Sequence, residues 1–175
     1  MGKVFSRALE QAGLSDLHSR ALSGEPLSRP ELSRLRAADL LLVAGLADAM
    51  RARFRGDEVR FVRASAAREQ DLIVFEGVPS EHGATGAELL RELALLRLAT
   101  KPSTSIAVSV ETLGLELAQT ALLFGADTLI GDLSSPRTLP LLEGPAARQR
   151  EVAGLVARSG RRVTFADAEP LEQRP

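Results

Sequence analysis

The amino-acid sequence predicts an α/β fold with mostly parallel strands, and three observations carry that reading. Between Thr85 and Asp132 the chain runs helix, strand, helix, strand. The strand segments are short and apolar, as in Ile106–Val108–Val110 and Leu129–Ile130. The helical segments start at capping residues and stop at proline or glycine. Helices alternating with short buried strands imply parallel strands joined by crossovers.

Taken in order, Lys3 to Gln11 and Ser15 to Leu22 read as two short helices separated by Gly13, with Gly24 and Pro26 ending the second. Ser28, Pro30 and Glu31 mark a helix start, with proline in the first turn and glutamate three residues after the cap. Ala38 to Phe54 reads as a longer helix, apolar from Leu40 to Leu46. Arg51, Arg53 and Arg55 suit its carboxyl end, where positive charge complements the helix dipole. After the Gly56–Asp57 turn, Glu58–Val62 alternates as a strand. A polar spacer, Arg63 to Gln70, leads to a buried strand within Asp71–Val78.

Thr85 and Glu88 have the spacing of a capping box. Leu89, Leu93 and Leu96 then form a helical stripe, with Glu88, Arg91, Glu92 and Arg97 on other faces. Pro102 ends that helix. Leu113, Leu117, Ala121 and Phe124 predict one apolar helix stripe, closed by Gly125 in a left-handed conformation. A last helix, Pro145 to Arg158, stops at Gly160, and Arg162 to Phe165 has the pattern of a short final strand. The domain plan is an N-terminal helical segment (1–57), a strand-containing segment (58–167) and a frayed tail (168–175), in one structural domain.

Composition narrows the function classes. With 175 residues and 45% hydrophobic content the chain has enough apolar mass for one core. A net charge of −1 gives no electrostatic case for nucleic acid or an anionic membrane as partner. There is no cysteine, which removes disulfides, thiolate nucleophiles, zinc–thiolate sites and cysteine-bound iron–sulfur clusters. No apolar run approaches the ~20 residues of a spanning helix. MGKVFSRALEQ lacks the apolar core of a secretory signal, so the expected compartment is the cytoplasm.

A set of motifs in shared order resembles a known family. These are Gly24–Ser28 (GEPLS), Ala38–Leu41 (ADLL), Leu46–Asp48, Gly56–Val59, Thr85–Arg91 (TGAELLR), Ala118–Gln119, Leu122–Asp127 (LLFGAD) and the Arg148–Arg158 helix with Gly160–Val163. Together they resemble the radical-SAM enzymes of the futalosine route to menaquinone (aminofutalosine synthase and dehypoxanthine futalosine cyclase) and their relatives in deazaflavin synthesis. Those enzymes carry a C-x3-C-x2-C loop after the first barrel strand, whose thiolates hold an iron–sulfur cluster that binds S-adenosylmethionine. Here Glu58–Val62 runs straight into Arg63-Ala64-Ser65-Ala66-Ala67-Arg68. The expectation is therefore a relative without iron–sulfur cluster, S-adenosylmethionine or other cofactor, and without radical chemistry.

The resemblance also implies an architecture. Asp71–Val78, Thr104–Val110 and Asp127–Leu133 match the family's last three barrel strands, so strands two to five are absent. Because first and last strands are neighbours in a closed barrel, the four survivors are contiguous, and the expected fold is half a TIM-type barrel of about four strands behind an N-terminal helical segment. A parallel crossover normally needs a dozen or more residues, and Arg63–Gln70 supplies eight. The first strand is accordingly expected to pair antiparallel with the second or to join a partner's sheet. Half a barrel has two bare edges, which invite a homodimer or a heteromeric partner.

Ligands of such folds bind at the carboxyl ends of the strands, which here carry Glu76, Ser80, Glu81, His82, Glu111, Asp132, Ser134 and Ser135. Glu76, Glu81 and His82 have the chemistry of a general acid and base or of a metal ligand; the competing reading is solvated loop residues. The resemblance assigns substrate contact to the acidic segment after the GAD motif, where this chain has Asp132, Ser134 and Ser135. Two functions follow: a non-catalytic relative that binds a small molecule or assembles with protein, and a small non-radical enzyme using Glu76, His82 and Asp132.

Overall fold

The computed structural model describes residues 3–63, 71–77, 83–135, 138–139 and 141–166. The elements along the chain are α1 (Lys3–Gln11), α2 (Ser15–Ser23), α3 (Arg29–Arg36), α4 (Leu40–Arg55), β1 (Glu58–Val62), β2 (Leu72–Phe75), α5 (Gly86–Ala99), β3 (Ser105–Ser109), α6 (Val110–Leu113), α7 (Leu115–Leu122), β4 (Thr128–Ile130), α8 (Pro145–Arg158) and β5 (Arg162–Phe165). The sheet has five strands in the order β2-β3-β4-β1-β5. All four pairings are parallel. The chain is thus α/β with a helix-flanked parallel sheet, and the helical and strand segments share one continuous apolar core.

Helix starts follow local chemistry. Thr85 Oγ1 accepts from the Glu88 N–H at 3.2 Å, and Glu88 returns a carboxylate oxygen to the Thr85 N–H at 2.8 Å. At α3 the Glu31 carboxylate accepts from the Ser28 N–H at 2.8 Å. Asp39 caps α4, accepting from the Leu41 N–H at 2.8 Å. Each bond satisfies a donor that the first turn leaves without an intrahelical partner.

Three expectations need correction. First, β1 neither pairs antiparallel with β2 nor waits for another chain: it lies inside its own sheet, parallel to β4 on one side and β5 on the other. The diagonal from the end of β1 back to the start of β2, three strand spacings over, is roughly 20 Å by ideal dimensions. Eight extended residues span ~27 Å, so the short connection suffices. Second, the described strands number five, because Arg162–Phe165 pairs with β1. The subset β2-β3-β4-β1 has the contiguity anticipated for four strands.

Third, the stripe from Leu113 to Phe124 is not one helix. Gly114 adopts φ 76°, ψ 156° and divides it into α6 and α7. Val110 begins α6 instead of ending a strand, capped by Ser109, whose hydroxyl accepts from the Thr112 N–H at 3.2 Å.

The two faces of the sheet differ. Alternation along each strand sends Val59, Phe61, Phe75, Ile106, Val108 and Leu129 into the main core, which also takes side chains from each described helix. The opposite face carries a separate cluster of Val62, Ala107 and Ile130, flanked by half-buried Leu72 and Val74, with no helical residue in it. Among the described residues the helical layer is one-sided.

Candidate functional site

The carboxyl ends of the strands bring part of the expected constellation together. Glu111 stands on α6 just beyond β3, and Asp132 and Ser134 follow β4. Thr138 joins them. Its hydroxyl lies 2.6 Å from the Asp132 carbonyl oxygen and 3.0 Å from Glu111 Oε1, and accepts from the Asp132 N–H at 3.2 Å. Thr138 is buried, whereas Glu111 is exposed.

Asp132 is committed to its own turn. Its Oδ1 accepts from the Ser134 hydroxyl at 2.5 Å and from the Ser134 N–H at 2.9 Å. The Ser134 hydroxyl first, then its N–H, hold the Asp132 carboxyl below the usual carboxylate range, with the Arg63 charge adding in the same direction. That environment favours a permanent anion and opposes a proton-carrying role at neutral pH. Arg148, buried on α8, completes the loop by donating to the carbonyl oxygens of Leu133 at 2.9 Å and Ser134 at 3.3 Å.

Glu76 stands exposed just past β2, beside the β3 end that leads to Glu111. Glu81, His82 and Ser80 lie outside the described residues. Among the described residues, no group of three histidine or carboxylate side chains could hold a metal ion. No described helix is long and apolar enough to cross a membrane.

The opposite end of the sheet holds charges that the sequence reading misassigned. Arg97, expected on a face of α5 away from the leucine stripe, is 0% exposed, and Asp127 is 2% exposed. Arg97 Nη2 donates to Asp127 Oδ2 at 2.8 Å, Nε to the Gly125 carbonyl at 2.8 Å and Nη1 to the Thr104 carbonyl at 2.7 Å. Asp127 Oδ2 also takes Arg55 at 3.2 Å, and its Oδ1 takes the Ile106 N–H at 3.2 Å and the Thr128 hydroxyl at 2.9 Å. Nearby, Asp48 receives both Arg51 and Arg161. Burial first, then the neighbouring Arg51 charge, pull Arg161 down to about 10, which still leaves it a cation at neutral pH.

Asp127 and its partners sit at the amino ends of β3 and β4, opposite the carboxyl ends where ligands of open α/β sheets bind. Arg97 and Asp127 therefore read as structural. One signal in the sequence pointed to them: an arginine inside the run Leu93-Ala94-Leu95-Leu96-Arg97-Leu98, followed at a distance by the GAD aspartate. Thr138 and Arg148 gave no such signal, because their roles depend on a loop closing over β4.

No family model, curated protein or solved structure matches this chain. The class that stands is that of an α/β protein with a parallel five-stranded sheet and a polar rim at its carboxyl edge.

Proposed function

We propose that the chain is a non-catalytic relative of the menaquinone-pathway radical-SAM enzymes that acts by binding a small molecule or by protein assembly, with the sheet as half of a TIM-type barrel. The observation that carries this reading is that β2 and β5 are the outermost strands of the sheet, each with one side that pairs with no described strand. All-parallel sheets have both faces covered in known architectures, yet the Val62, Ala107 and Ile130 face meets no described helix. Val62, Ala107 and Ile130 are nonetheless buried within the single chain. The order β2-β3-β4-β1 supports the kinship, since it matches the contiguity of a first barrel strand with the last three.

The rim supports binding over catalysis. Asp132 and Thr138 are engaged in fixing the loop after β4, and the absence of cysteine removes the thiolates for a radical-SAM cluster. The rim then serves as a rigid lip around the ligand, and the open edges accept a second copy or another protein.

Thermal-shift measurement with futalosine-type nucleosides, S-adenosylmethionine and chorismate-derived acids tests the binding half, and light scattering tests assembly. The expected outcome is a raised melting temperature with one of these ligands, or a mass above that of the monomer. A chain that stays monomeric at micromolar concentration and shows no shift with any of them would sink the proposal.

A further inference from the structure

Deepening the assembly half of that proposal, and resting on it, we infer that the partner is a second copy of this chain, with the β2 edge of each copy pairing in parallel with the β5 edge of the other. The two edges are unlike. On β2, the Asp71 carbonyl accepts from the Ser105 N–H at 2.8 Å, so Asp71, Ile73 and Phe75 turn their backbone groups to β3. By alternation Leu72 and Val74 present theirs to the open edge. On β5, the Arg162 N–H donates to Asp57 and the Ala166 N–H to Phe61, each at 3.0 Å. Val163 and Phe165 therefore face outward, and among the described residues neither edge strand pairs on its outer side, which leaves donors and acceptors for a further ladder.

Charge selects the pairing. The ends of β2 carry exposed Asp71 and Glu76, and the amino end of β5 carries exposed Arg162. A β2 edge meeting its own copy antiparallel sets Asp71 opposite Glu76, and like charges directly opposed are destabilising. A β2 edge meeting a β5 edge in parallel brings Asp71 and Arg162 to the same end of the seam. Two such seams are related by a single two-fold axis, the commonest symmetry of oligomers. They close ten strands into one ring. The described helices stay outside, and the Val62–Ala107–Ile130 clusters, buried in each copy, lie on the inner side.

The cysteine-free sequence makes a direct test available. Val74 and Thr164 fall on the same sheet face, by alternation from the core-facing Phe75 and Phe165. In one copy β2 and β5 are four strand spacings apart, roughly 19 Å, far beyond the ~7 Å that a disulfide spans between Cα atoms. A disulfide between them must join two copies. Under mild oxidation the double variant Val74→Cys/Thr164→Cys is expected to run as a covalent species of twice 18.7 kDa, and neither single variant is. Cross-linking by either single variant, or by none of the three, overturns the inference.

Val74→Pro supplies an independent readout, because it removes an outward N–H and leaves the β2–β3 ladder intact. It is expected to be monomeric by light scattering with unchanged helical circular dichroism. A folded Val74→Pro that remains dimeric, or a wild-type chain that is monomeric at micromolar concentration, also overturns the inference. A monomer that still gains melting temperature from a ligand ends the self-pairing and leaves the binding proposal standing; a monomer with no ligand response ends both.

Discussion

At the amino ends of β3 and β4, Asp127 is closed off from solvent and met by Arg97, Arg55, a hydroxyl and a backbone N–H. A few residues along, at the carboxyl ends of the same strands, Glu111 and Ser134 stand exposed and Asp132 holds only its own loop. One end of the sheet uses charge to lock a helix, a loop and two strands together; the other uses it to shape a lip. The contrast teaches that the charged residues best placed to be noticed by strand-end reasoning are the weakly coupled ones. The strongly coupled charges lie inside what reads as an apolar stripe.

The largest test of this contrast is Asp127→Ala. It leaves Arg97 buried without its counter-charge, and removing one partner of a buried pair costs about 3–5 kcal/mol. Urea unfolding should show a large drop in midpoint, and the double variant Arg97→Met/Asp127→Ala should cost less than the sum of the two single changes. Equal, additive losses would mean that the two ends do not differ in coupling.

Gly125→Ala probes the same end sterically. The residue sits at φ 99°, and an added Cβ would stand 2.8 Å from the Cβ and Cγ of Arg97. Strained backbone of this kind costs about 1–3 kcal/mol, and the loss should appear in both thermal and urea unfolding.

At the carboxyl end, Thr138→Val removes the hydroxyl that links Asp132 to Glu111 and leaves the Asp132 N–H unmatched, a loss of about 1–2 kcal/mol. Amide exchange should quicken around residues 132–135 while the Ile106 and Thr128 amides keep their protection. Faster exchange at both ends would show that the rim is not an independent unit.

The smallest effect is that of pH. The Ser134 bonds depress Asp132, and the Thr85 N–H followed by the Thr85 hydroxyl depress Glu88. An acid whose folded pKa is lowered contributes stability that is full above its ordinary value, here 3.8 for Asp132 and 4.5 for Glu88. That stability is lost as pH falls through the folded value. Unfolding midpoints should hold steady down to those values and then decline, and Asp132→Asn should flatten part of the decline.

What was legible in the sequence is what local chemistry decides. Thr85 with Glu88 and Ser28 with Glu31 mark helix starts because both partners sit within one turn. Gly125 marks a helix end because only glycine tolerates its conformation. The strands themselves announce their apolar runs. Arg97 was misread because its partner lies 30 residues away, beyond any periodicity window, and a leucine-rich helix with an arginine on it normally exposes that arginine. Helix α5 in fact buries most of its circumference, since it packs against α3, α4 and α7. Glu111, Asp132 and Ser134 were found together because strand ends converge; Thr138, the residue that joins them, was not, because its place depends on how the loop after β4 closes.

The position of β1 has a consequence for synthesis. Its neighbours are β4 and β5, and the Glu58–Thr164 contact spans 106 positions. At ~5–20 residues per second, Val59, Phe61 and Val62 leave the ribosome roughly 5–20 s before the last of their partners does. During that interval the nascent chain carries a central strand without the neighbours that pair with it. A version ending at residue 125 should remain insoluble however good its helices are.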